Sequence, residues 1–202
     1  MTPAFADVAA SALRAFHDAR VGTPTSAEAP RGEAQHVWTW IEVNHRCNRL
    51  LWDEEDLARR TGVPAAQIVA NKRAIDAYNQ QRNDAIERID ELLLARLAGV
   101  IVATDAWHNS ETAGSITDRL SILALKIFHM DSAAKRAAAS AGNRAACRDR
   151  HRLLCVQRDE LASCFDTLLT HAAKGEAFWR VYRQFKMYND PSLNPQLYRG
   201  GA

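Results

Sequence analysis

The sequence predicts an all-α fold: an antiparallel helical bundle of five to six helices, with one long central helix and an irregular C-terminal segment. Three observations predict it. Apolar residues recur at helical spacing along nearly the whole chain. No segment alternates apolar and polar residues as a half-buried strand does. Glycine, proline, serine and threonine gather in "VGTPTSAEAPRGE" and "TGVP", between the periodic stretches. The length of 202 residues suits one domain, residues 1–202, with a sizeable core. No internal repeat is present.

The elements follow in order. A first helix is expected over about residues 3–20, and residues 21–33 read as a loop. A second runs from about Ala34 to Arg60, where "TGVP" stops it. Pro64 suits the first turn of the third, long helix, which reaches about Leu97. "TDAWHNSETAG" is a connection, and Ser115 or a neighbour caps a fourth helix ending near Ala141–Gly142. A fifth covers about Arg144 to Ala173, and a shorter sixth about Gly175 to Met187. Residues 188–202 contain two prolines and cannot form a continuous helix.

Composition excludes several classes. A net charge of +2 gives no bulk attraction for nucleic acid or an anionic membrane. No apolar run approaches the roughly 18 residues of a membrane span, and the N-terminus lacks the charge pattern of a signal peptide. Cys47, Cys147, Cys155 and Cys164 show no CxxC spacing and read as reduced thiols. A cytoplasmic protein is expected. Arginine far outnumbers lysine, which with abundant alanine points to a GC-rich bacterial genome.

The informative residues are polar ones on apolar faces. In the fourth helix, Ile116, Leu120, Leu123, Ile127 and Met130 line one side at 100° per residue. Arg119 and Lys126 superpose at that stripe's border, continued by Ile122 and His129. In the third helix, Arg82 falls inside the stripe of Ile75, Tyr78, Ile86, Ile89 and Leu93, with Asn79 beside it. Lys72, Asp76, Asn83, Glu87 and Asp90 form an adjacent stripe. In the second helix Ile41, Asn48, Trp52, Glu55 and Arg59 share a face, with Asn44 close by. Snorkelling of long cationic stems accounts for Arg119 and Lys126 taken alone. Polar residues on three helices together favour a shared pocket between them. Arg82 is expected to be mostly buried and bonded to Glu55 or Asp118.

Named chemistries find less support. A di-metal carboxylate bundle needs two Glu-x-x-His pairs. Glu42-x-x-His45 is matched only by Asp105-x-x-His108 in a loop, so no metal ligand is assigned. Asp84, Glu87 and Asp90 have the spacing of a magnesium site but also that of a wet face. No Ser-His-Asp, Cys-His or Gly-rich phosphate signature appears, and no cofactor is indicated. Trp38, Trp40 and Trp52 read as core or interface residues.

"AIDAYNQQRNDAIERIDELLLARL" is similar to the first helix of chorismate-mutase-like bundles, where cationic residues hold a dicarboxylate. Four blocks carry a broader resemblance: "NRLLWDEEDLAR", "KRAIDAYNQQRNDAIERID", "ETAGSITDRLSILALKIFHM" and "KMYNDPSLNPQLY". In this order they resemble a bacterial family of all-helical proteins, domain of unknown function 4254, with no assigned activity. The positions matching that pattern are Asn48, Trp52, Glu55, Asp56, Arg59, Lys72, Asp76, Asn79, Arg82, Asp84, Glu111, Thr112, Gly114, Asp118, Arg119 and Lys126. The family pattern more often has proline where Ala113 stands. Members often accompany sugar-transfer and envelope-polysaccharide genes, which hints at a sugar-linked ligand.

The expected function is therefore an internal cationic pocket that binds or processes a small phosphate- or carboxylate-bearing metabolite. Its candidate residues are Asn48, Glu55, Arg59, Lys72, Asn79, Arg82, Asp118, Arg119 and Lys126. The alternatives are a non-catalytic protein whose polar network fixes helix register, and a metal-dependent carboxylate-bundle enzyme. Asp190-Pro191 and Asn194-Pro195 favour turns, and Met187, Tyr188, Leu193, Leu197 and Tyr198 are too apolar for a free tail. That segment is expected to pack on the bundle and close one end of the pocket, or to dock on a second copy in a homodimer.

Overall fold

The computed structural model describes residues 3–26, 28, 32–184 and 192–193. A short 3-10 helix, Pro3–Val8, leads into α1 (Ala10–Arg20). The break at Ala9, which has an extended backbone, divides the single first helix expected from the sequence. Next come α2 (Val37–Ala58), α3 (Ala65–Ala95), α4 (Ala113–Lys135) and α5 (Ala141–Ala172). The fold is all-α, with five α-helices among the described residues. The helix beginning after Pro64 is long, at 31 residues, but α5 exceeds it by one, at 32. None of the described helices is long and apolar enough to cross a membrane.

The helices form two hairpins. α2 and α3 pair antiparallel about the turn at Gly62, whose φ of 77° only glycine adopts without strain. Three contacts fix their register: Asn71 to Glu54, Arg46 to Gln81 and Arg88 to Gln35. α4 and α5 pair across the short connection 136–140, and α1 lies over both. Phe5, Leu13, Ile41, Ile89, Leu93, Ile116, Leu120, Phe165, Leu168 and Leu169 meet in one core, drawn from every helix. At about 1.5–3 kcal/mol per fully buried side chain, that cluster drives the collapse.

The sixth helix is absent over residues 175–184. Gly175 instead turns the chain with φ 77°, and Ala177–Phe178 pairs in parallel with Trp107–His108. We label these two-residue strands β1 (Trp107–His108) and β2 (Ala177–Phe178). Beyond β2 the chain is strapped along α3. Arg183 bonds Glu87 and Glu91, the Gln184 amide donates to Glu87, and Asn83 donates to Gln184. The expected packing of the apolar C-terminal segment falls outside the described residues, apart from Leu193, which is 52 % exposed.

Candidate functional site

The α2–α4 contact is polar at its centre. Asn44, His45 and Asn48 on α2, with Asp118 and Ser121 on α4, are all buried. Asn44 and Asn48 each donate from Nδ2 to Asp118 Oδ1 at 2.8 Å. Asn48 also lies 3.1 Å from Ser121 Oγ, which bonds His45 Nδ1 at 2.8 Å. Amides at i and i+4 on α2 face a carboxylate and a hydroxyl at i and i+3 on α4, so one turn of each helix matches the other. Burial pushes His45 down to about 3, leaving it neutral, and its Nε2 has no partner among the described residues. The neutral ring of His17, also buried, lies 4.8 Å from that of His45, and neither of its nitrogens has a partner among the described residues.

Asn48 also opens onto a cavity of about 300 Å³ between α2, α3 and α4. Asn48, Trp52, Glu55, Asp56 and Arg59 line it from α2, Asn79 and Arg82 from α3, and Ile122 and Leu125 from α4. Three of its polar residues pair among themselves. Arg59 bonds Glu55 and Asp56, each at 3.1 Å along its own helix. Arg82 does not. It is half-buried, its Nε is sealed from solvent, and it has no hydrogen bond or ion pair among the described residues. The expected partners are engaged elsewhere, Glu55 by Arg59 and Asp118 by the two asparagines. Trp52 stacks on His129, with ring centroids 4.3 Å apart, which stiffens that wall. Burial pushes the Cys47 thiol up to about 11, which disfavours its thiolate.

The cavity thus joins Asn48, Glu55, Arg59, Asn79 and Arg82, with Asp118 directly behind Asn48. It does not include the rest of the expected set. Lys72 pairs with Asp76 on the exposed side of α3. Arg119 and Lys126 line a separate groove, between α4 and α5, with Asn109, Gln157, Glu160 and Cys164. There Arg119 is held by both oxygens of Glu111, at 2.7 Å. Ile122 and His129 on that border reach the α2 side, but Arg119 and Lys126 turn to the α4–α5 groove and do not line the cavity with Arg82.

Two buried groups escaped sequence reading. Asp90, placed on a wet stripe, is only 1 % exposed. Its Oδ1 accepts the Gly114 amide at 2.7 Å at the start of α4, where the helix dipole favours an anion. Desolvation still dominates and pushes its carboxyl up to about 6, although the Thr112 hydroxyl and Trp179 indole favour the charge. Ser121 was read simply as part of the helix. The available signal was its spacing, three residues after Asp118. The Asn109–Ser115 connection also resolves. Thr112, not Ser115, caps α4 by accepting the Ser115 amide, and Ala113 is the first helical residue, a position that suits proline.

Among the described residues no group of three or more His, Cys, Asp or Glu side chains could hold a metal ion. No curated protein and no solved structure matches the chain. A family model described as protein of unknown function (DUF4254) matches residues 38–181, from the first turn of α2 to just beyond β2. The match takes in every helix that lines the cavity and covers well over half of the sequence, so this chain belongs to the DUF4254 family.

Proposed function

We propose that the α2–α3–α4 cavity binds a small hydroxylated metabolite through one acidic group, carboxylate or phosphate, in a cytoplasmic protein. One observation carries this reading. Arg82 places in a concave site a guanidinium that is unpaired among the described residues, with a buried Nε that finds no acceptor among them. A fork of N–H donors left unpaired in a partly dry site is completed by a planar or tetrahedral oxyanion. The amide of Asn79 supplies a donor, and the side-chain carbonyls of Asn48 and Asn79 and the remaining lone pairs of Glu55 supply acceptors for hydroxyls. About 300 Å³ accommodates a ligand of monosaccharide size.

The test is calorimetric titration with inorganic phosphate, a hexose phosphate and a hexuronate. At least one should bind saturably, and Arg82→Gln should weaken it by about tenfold or more, the worth of a charge-assisted hydrogen bond. Lys126→Gln, in the other groove, should change nothing. Binding that ignores Arg82 but depends on Lys126 would overturn the assignment.

A second reading rests on the Asn44–Asn48–Asp118 cluster, whose matched bonds favour a polar network that fixes helix register. It predicts that Asp118→Leu folds but loses a unique α2–α4 packing, seen as broadened amide spectra.

A further inference from the structure

A second cavity, of about 470 Å³, lies at the other end of α3. Leu94 is twelve residues beyond Arg82, so roughly 18 Å along the helix separates the two sites. Its wall is aliphatic and aromatic, with Leu94, Leu97, Val100, Val102 and Phe178 prominent, apart from Arg180. Arg180 is exposed and has no hydrogen bond or ion pair among the described residues; it rests only near the Phe178 ring, 5.8 Å from its centroid. The acid of the neighbouring turn, Glu176, is already engaged by His171 at 2.7 Å.

Next to the lining residues in the chain lie further exposed apolar side chains. Ile101 is 89 % exposed, and Val102 and Trp107 about half exposed. Single exposed apolar side chains are ordinary, but a cluster beside an apolar cavity marks a binding surface. The backbone that presents them is tied down. Ala103, Trp107 and Asn109 donate their amides to the carbonyls of Gly175, Glu176 and Phe178. Gly175 packs against the Ile101 carbonyl so closely that no side chain fits between them. These residues are held out in water by the fold.

We propose that this cavity takes the apolar chain of an anionic amphiphile, with the acidic head on Arg180 and the exposed Ile101 following the lining residue Val100. A polar metabolite would leave its hydroxyls unbonded against leucine and valine. A cationic amphiphile would meet Arg180 with like charge. Among the described residues, one unpaired guanidinium lines an otherwise apolar space, which selects one chain with one acidic head.

The test titrates the full chain with dodecanoate below its micelle concentration, following tryptophan fluorescence and melting temperature. Dodecanol and dodecyltrimethylammonium serve as controls. Saturable binding of dodecanoate with a rise in melting temperature is expected. Arg180→Gln, at an exposed position, should weaken it by about tenfold, while Arg82→Gln leaves it unchanged. Absence of saturable binding, equal binding of the ammonium analogue, or indifference to Arg180→Gln would each overturn the proposal. Sedimentation with phosphatidylglycerol vesicles separates the sources. Vesicle binding that Ile101→Ser abolishes supports a chain drawn from a bilayer, and dodecanoate binding without it supports a free amphiphile.

Discussion

Arg82 reverses the usual reasoning about inward arginines. Cutting one partner from a buried ion pair costs about 3–5 kcal/mol, because the other charge stays behind. Arg82 leaves no such partner. Arg82→Met should therefore keep stability or raise it by about 1–2 kcal/mol, the desolvation cost of an unsatisfied group, while abolishing any ligand-induced rise in melting temperature. Urea melts with and without ligand check both halves. Gly114 is the opposite case. A Cβ there would press on the Ile86 carbonyl and sit 2.8 Å from Asp90 Oδ2. Both are fixed, one by helix hydrogen bonds and the other by the Gly114 amide itself. Gly114→Ala should cost about 1–3 kcal/mol by overpacking. Gly142→Ala, near the start of α5 with nothing within 4 Å, should be neutral or stabilising by up to about 1 kcal/mol. Denaturant midpoints distinguish the two.

The helices that line the cavity were legible because each carries an apolar stripe of its own. α2, α3, α4 and α5 lie within a few residues of where periodicity puts them, apart from the far end of α4, which stops at Lys135. The polar members of those stripes were legible too, since Asn48, Asn79 and Arg82 interrupt runs of core residues. Two things were not. A residue at a stripe's border can serve either neighbour, and α4 has neighbours on both sides, so Arg119 and Lys126 could not be assigned from one helix wheel. β2 depends on a partner some seventy residues earlier, and no local propensity records that. Caps sit between these extremes. Thr112→Ala should cost about 1 kcal/mol, since its oxygen satisfies the Ser115 amide, and thermal melts will show it.

Across the whole molecule, buried ionisable groups set the response to pH, and they pull in opposite directions. His45 is held at about 3 and His17 well below the usual imidazole value, both mainly by burial. Their contribution is complete above about pH 6.5 and is lost as pH falls through the window between the unfolded and folded values. Asp90 has the reverse sign. Raised to about 6, it adds stability below about pH 4 and loses it as pH rises through 6. Between pH 7.5 and 5, His45 alone costs about 2 kcal/mol and Asp90 returns about 1, with His17 adding to the loss. A net fall of about 1–3 kcal/mol is expected over that range. The double variant His17→Leu, His45→Gln should invert the slope, leaving the protein more stable at pH 5 than at 7.5. Urea melts at the two pH values read this directly.

The pairing of β1 with β2 has a consequence for exchange with solvent. Its three cross-strand amides, on Ala103, Trp107 and Asn109, bridge the base of the excursion formed by α4 and α5. They cannot open one at a time without parting residues 103–109 from 175–178, and that parting frees the α4–α5 hairpin from its anchor. Their hydrogens should exchange for deuterium together, with one common protection factor lower than that of the Leu120 or Phe165 amides in mid-helix. The molecule thereby carries its own gauge of hairpin undocking, readable at three backbone sites within residues 103–109 without any label.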